Sequence, residues 1–194
     1  MTRPSDEELL ATADDLQRTG LEVLRALRLE DVLEAGPVRV MGSVVSGLMT
    51  WRDLDVAVCP GPHTTPRDVL AMIERVLRMP GVHAFDYRDE RGDRSPAERR
   101  DERFHVPFDV VRDGATWRID LSVFLLDPHE HVVAFHERLR DRLSPAERVA
   151  ILRIKNEWWE RADYPGGFAI YTAVLDSGVR TLTEFDDWLA ARVS

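Results

Sequence analysis

Apolar and polar positions follow two rhythms along this chain, and the changes between them mark its elements. Leu9, Leu10, Ala13, Leu16, Leu21, Leu24 and Leu27 recur at roughly helical spacing, and Ser5 with Glu8 makes a capping box ahead of them. This predicts a first helix that packs on a sheet. Gly36 and Pro37 end the helical stretch, and Val38 to Met41 reads as a short apolar strand leading to Gly42 and Ser43. A second strand runs from Leu54 to Val58 and closes at Pro60, Gly61 and Pro62. Thr65, Pro66 and Asp68 then start an amphipathic helix through Leu77, and Val82 to Tyr87 predicts a third strand.

Residues 88–103, RDERGDRSPAERRDER, mix both charge signs around one apolar residue, Ala97. They predict a solvated loop, with a lid over the substrate as the alternative. The next stretch, FHVPFDVVRDGATWRIDLSVFLL, reads as a hairpin turning at Asp113 and Gly114. Pairing Arg112 with Ala115 sets Asp109 across from Arg118 and Pro107 across from Asp120. Arg118, Asp120 and Ser122 then share one face, while Trp117, Ile119, Leu121 and Val123 form the core face. From Pro128 the chain is predicted helical: Pro128 to Arg142, a helix opened by Ser144 and Glu147 through Glu160, and segments near Phe168 to Leu175 and Thr183 to Arg192. The repeated SPAER at 95–99 and 144–148 is read as two helix starts. The class is therefore α+β, with a core over residues 1–126 that includes the N-terminal helix and a C-terminal helical region over 127–194.

The second strand carries an exception to its apolar pattern. Strand side chains alternate faces, so Asp53, Asp55 and Ala57 share one side while Leu54, Val56 and Val58 cover the other. Two neighbouring carboxylates on one face repel unless a cation or solvent compensates. Divalent metal ions would supply that compensation, the alternative being a wet face of the sheet. Asp120 is a third carboxylate in an otherwise apolar strand.

Composition narrows the picture. The 194 residues with 44% hydrophobic content can bury one core, and a formal charge of −9 argues against a protein that tracks a nucleic-acid backbone with Lys and Arg. A single cysteine, Cys59, excludes an intramolecular disulfide framework and fits a reducing compartment. No apolar run approaches the roughly 20 residues needed to span a bilayer. The opening MTRPSDEELL is too acidic for a signal peptide, so a cytoplasmic location is expected.

Two or three aspartates completed by substrate phosphates suit magnesium, a hard cation that keeps several waters. Two such ions about 3.5 to 4 Å apart clamp the attacking and leaving oxygens of a phosphoryl transfer. The small turn at Gly42 and Ser43 lets backbone amides and a hydroxyl approach phosphate. In order, Gly42-Ser43, nine residues, Asp53-Leu54-Asp55-Val56 and later Ile119-Asp120-Leu121 resemble the signature of the DNA-polymerase-beta-like nucleotidyltransferase superfamily, over roughly residues 36 to 126. The resemblance implies a mixed sheet flanked by helices, with Gly42 and Ser43 on the triphosphate of ATP or another NTP. It also implies Asp53 and Asp55 on two magnesium ions, with Asp120 on the catalytic ion or acting as general base. The layout is similar to that of antibiotic nucleotidyltransferases. That implies transfer of a nucleoside monophosphate, AMP from ATP, to a hydroxyl of a small-molecule acceptor, at a site such enzymes can complete across a homodimer. Catalytically silent binding or antitoxin-type domains and protein nucleotidylation are the alternatives.

Val44, Val45 and Ser46 stand where minimal members of that superfamily carry an arginine, so charge for the triphosphate must come from elsewhere. Lys155, the single lysine, lies on the stripe Ile151, Ile154, Trp158 and either snorkels to solvent or reaches a phosphate. Arg52 beside the carboxylates is expected in a surface ion pair. His129 and His131, two residues apart, do not share a helical face and are read as helix-start residues rather than a zinc site. The stretch 164–167 is expected to be an interhelical turn, with an acceptor pocket shared with Tyr171 as the alternative. Trp158 and Trp159 are expected in core and interface.

Overall fold

The computed structural model describes residues 3–97, 100–127 and 132–193. The Ser5 capping box forms as expected and opens α1 (Asp6–Leu27), with Ser5 N–H donating to the Glu8 carboxylate at 2.7 Å and Glu8 N–H to Ser5 Oγ at 3.2 Å. Arg28, at φ 49°, breaks the helix and starts the short α2 (Leu29–Leu33). There follow β1 (Arg39–Val40), α3 (Ser43–Ser46), β2 (Asp53–Val58), α4 (Pro66–Leu77), β3 (Val82–Phe85) and β4 (Arg88–Asp89). The hairpin strands are β5 (Arg103–Arg112) and β6 (Ala115–Phe124), and the described remainder holds α5 (Ala134–Arg142), α6 (Pro145–Trp158), α7 (Gly167–Asp176) and α8 (Leu182–Val193).

The strands lie in the order β1-β2-β6-β5-β3, with β4 also paired to β5. The expected hairpin register holds at Arg112 with Ala115, Asp109 with Arg118 and Pro107 with Asp120. Asp113 (φ 49°) and Gly114 (φ 74°) supply the left-handed turn that matches strand twist. β2 and β6 run parallel while the other pairs are antiparallel, so the sheet is mixed. This parallel pairing sets Asp55 beside Asp120 and Asp53 beside Arg118.

One face of the sheet is the main core. Leu54, Val56, Phe104, Phe108 and Ile119 are fully buried there under α2, α4 and the C-terminal half of α1. Each such side chain contributes about 1.5–3 kcal/mol of burial, and a one-residue slip of β2 would exchange Leu54, Val56 and Val58 for Asp53, Asp55 and Ala57, putting two carboxylates in the core. The register of the acidic face is therefore held by the apolar one. A second cluster joins α6, α7 and α8 to Leu9 and Ala13 of α1, so α1 spans both cores. Trp158 belongs to it, edge-on to Phe185 at 5.4 Å.

Several expected boundaries shift. The first strand shortens to two residues, the third ends at Phe85, and the helix opened by Ser144 ends at Trp158 rather than Glu160. Pro128, His129 and His131 lie outside the described residues, as do residues 98 and 99 of the first SPAER, so those helix starts are not seen here. The larger correction concerns residues 88–103, which are not simply a solvated loop. Arg88 and Asp89 pair with His105 and Phe104 as β4, and Gly92–Arg94 forms a 3-10 turn. Arg91 covers the Phe104 ring at 3.9 Å, and Glu90 is only 6% exposed. Composition records how many charges a segment has. It does not record which of them neutralise each other closely enough to be buried.

Candidate active site

The acidic face opens into a cavity of about 540 Å³ that reaches from the sheet to α6 and α7. Gly42, Ser43, Asp53, Asp55, Asp120 and Lys155, the six site residues expected from sequence, all line it. Asp53 and Asp55 project from β2 on one side, and Asp120 joins them from the neighbouring strand. One oxygen from each of the three carboxylates lies within 4.8 Å of the others. Gly42 precedes α3 at φ 72°, ψ −155°, a conformation essentially limited to glycine. A Cβ there would fall 1.8 Å from Asp55 Oδ2. The missing side chain is thus the space the carboxylate occupies.

These charges strain one another. Burial, then repulsion from Asp120, pushes the Asp53 carboxyl up to about 6, although the Trp51 indole hydrogen-bonds it. Burial and the charges of Asp53 and Asp120 push Asp55 up to about 7. Burial also works to raise Asp120, but the His105 hydrogen bond and charge outweigh it and hold that carboxyl below its ordinary value. The three share one field, and their protons belong to the cluster rather than to single residues. Asp53 Oδ1 is buried without a hydrogen-bond partner. Such an orphaned oxygen among three clustered hard donors fits a divalent cation such as magnesium.

Lys155 does not snorkel to water. Its side chain is 2% exposed, Nζ donates to the Leu48 carbonyl at 2.7 Å, and the ammonium stands 4.8 Å from the centre of the Trp51 ring. Burial lowers it to about 8 against the pull of Asp55 and Asp53. Trp51 in turn stacks on Trp159 at 5.3 Å and meets Tyr164 edge-on at 5.7 Å. Tyr164, Gly166, Gly167 and Tyr171 form the opposite wall, so the 164–167 stretch is an interhelical turn and a pocket wall at once. Gly167 lets it close tightly, since a Cβ there would meet the Tyr171 hydroxyl at 3.0 Å.

Sequence reasoning passed over Trp51, Arg103, His105, Phe135 and His136. Arg103 lines the cavity and donates to Ser122 Oγ and Glu90 Oε2, both at 2.8 Å. His105 stands opposite Ser122 in the hairpin register, diagonal to Asp120, and its Nε2–H donates to Asp120 Oδ1. That register was legible, so continuing the count from Pro107 to His105 and Arg103 finds both residues. His136, packed edge-on against Phe135 and Tyr171, is lowered to about 4 by burial and by Lys155. No periodicity singles it out.

No family model matches this chain. No curated protein matches it either. Solved structures do. A chain of the GLD-2/RNP-8 complex aligns with a TM-score of 0.60 at 11% identity, covering 88% of this chain and 65% of its own. A chain of the non-canonical poly(A) polymerase complex GLD-2–GLD-3 aligns at 0.62 and 11% identity, over 88% of this chain and 57% of its own. The Cid1 poly(U) polymerase with bound MgGTP aligns at 0.54 and 16% identity, over 89% and 51%. The chain thus spans between about half and two thirds of the structures it matches.

Proposed function

The fold is that of the polymerase-beta-like nucleotidyltransferases, and on that premise we propose that the protein is a magnesium-dependent nucleotidyltransferase that moves AMP from ATP to a hydroxyl of a small molecule. The observation that carries this reading is the convergence of Asp53, Asp55 and Asp120 from two parallel strands at the Gly42–Ser43 turn.

In this reading Asp53 and Asp55 hold two magnesium ions, with Asp120 completing the set. Magnesium bound there would neutralise the clustered charge and polarise the phosphate under attack. Gly42 and Ser43 cradle the triphosphate, and Lys155 and Arg103 supply the positive charge that Val44 to Ser46 lack. Asp120, kept ionised by His105, offers the oxygen that His105 leaves free to the catalytic ion, its alternative role being general base for the acceptor hydroxyl. The Tyr164–Tyr171 wall limits water and shapes the acceptor end.

Two of the matched structures are a poly(A) polymerase complex and a poly(U) polymerase, which makes RNA the competing acceptor. A small acceptor is supported by the formal charge of −9, since holding a polymer requires many cations facing its phosphates. Among the described residues no helix is long and apolar enough to cross a membrane; the cytoplasmic location we propose is supported by the single cysteine, Cys59.

The test is calorimetric binding of ATP with magnesium to the wild type and to the Asp53→Ala/Asp55→Ala double variant, followed by pyrophosphate release over a panel of hydroxyl acceptors and an RNA oligonucleotide. Binding lost in the variant, with turnover on a small acceptor, is expected. Turnover on RNA alone would overturn the acceptor assignment. A folded wild type that binds no nucleotide, alone or with acceptor present, would overturn the enzyme.

A further inference from the structure

Asp120 is the one carboxylate of the three held by a direct histidine hydrogen bond, and the contact comes from a buried group of polar side chains. His105 is 7% exposed and bonds Asp120 Oδ1 through Nε2–H. Its other nitrogen, Nδ1, is buried without a hydrogen-bond partner, and Glu90 Oε1 stands 3.5 Å from it. Glu90 Oε2 accepts from Arg103 Nε at 2.8 Å, and Arg103 reaches on to Ser122 Oγ. The backbone fixes the group as well. Glu90 N–H donates to the Arg103 carbonyl at 3.2 Å, and Asp101 N–H to the Glu90 carbonyl at 2.8 Å.

We infer that His105 is a positioning residue for Asp120, and that the charged segment 88–103 supports the acidic site by placing Glu90 behind the imidazole. The inference rests on the metal-binding reading above. An aspartate side chain on a strand can swing toward Arg103 or away from Asp53 and Asp55. One oxygen pinned by an imidazole cannot, and the second oxygen is left for the cleft. Orientation of a carboxylate ligand by a hydrogen bond from behind changes metal affinity without adding a ligand. Burying Glu90 is costly unless its charge is partnered; Arg103 supplies that partner, and the pair packs Glu90 behind the ring. Length and composition alone make the segment look like surface. Its buried Glu90 instead stands behind His105.

The experiment compares His105→Gln, whose amide can still donate to Asp120, with His105→Met, which keeps bulk without a donor. Mn²⁺ alone is the probe, followed by electron paramagnetic resonance, with near-ultraviolet circular dichroism as the fold control. The Met variant is expected to bind Mn²⁺ roughly 10- to 100-fold more weakly, and Gln to recover most of the loss. In turnover, kcat falls with the Mn²⁺ affinity while KM for ATP stays within about twofold, a split a general packing defect would not give. If the Met variant is folded and binds Mn²⁺ like the wild type, the positioning role is wrong and the metal site stands. If the wild type itself binds no Mn²⁺, the metal reading fails and this inference with it. If the Met variant does not fold, nitrogen-15 resonances of wild-type His105 decide. A protonated Nε2 both without and with Mg²⁺ supports the inference, and a bare Nε2 overturns it.

Discussion

Replacing Asp55 by asparagine should raise the thermal stability of the metal-free protein at pH 8 while removing its response to magnesium. The folded protein lifts this carboxyl from 3.8 to about 7, so above pH 7 the native state carries a charge it would shed if it were free to. One pKa unit is about 1.4 kcal/mol, which would make the penalty about 4 kcal/mol for an isolated group. Because Asp53 and Asp120 share the field, relief at one residue recovers about half of that, or about 2 kcal/mol. An amide facing a carboxylate site returns up to about 1 kcal/mol in poorly matched hydrogen bonds. The net gain of about 1 to 2 kcal/mol corresponds to about 3 to 6 °C for a chain of this size. The sign follows from linkage: a raised acid pKa costs stability fully above its folded value, and the cost disappears as pH falls toward the unfolded value. The difference between variant and wild type should therefore close between pH 7 and pH 4. Differential scanning fluorimetry in EDTA at pH 8, 6 and 4, repeated with magnesium at pH 8, reads all of this. A variant that melts at or below the wild type at pH 8 in EDTA, while folded, would refute the penalty that burial and repulsion place on this carboxylate.

Two further outcomes follow from the geometry. Gly42→Ala forces a Cβ into the Asp55 carboxylate from a backbone conformation essentially limited to glycine, so it should cost about 1–3 kcal/mol in urea unfolding and reduce turnover by far more than that loss accounts for. His136, lowered to about 4 by burial and Lys155, should destabilise the protein as pH falls from its ordinary 6.5 toward 4, because the unfolded chain takes up a proton that the folded one refuses. Comparing urea midpoints at pH 7 and pH 5, His136→Phe should remove about 1–2 kcal/mol of that pH dependence.

Much of the architecture was legible because it rests on local chemistry. The capping residues Ser5, Thr65 and Ser144 mark their helices, since each accepts from a backbone amide three residues on. The hairpin register follows from Asp113–Gly114 and alternation alone. The six residues expected at the site do line one cavity, because an aspartate in an apolar strand and a glycine before a tight turn are conspicuous against their neighbours. What no local rule supplied is the parallel pairing of β2 with β6, which joins residues 65 apart and brings Asp120 to Asp55. Nor did composition reveal that Glu90 is buried, that Lys155 is buried against Trp51 at the cavity wall, or that His105 grips Asp120. Periodicity and capping act within a few residues, and they set the elements and the faces on which their polar residues lie. Which charges meet depends on how distant segments pack, because Coulomb and desolvation energies follow separations and burial that arise only then.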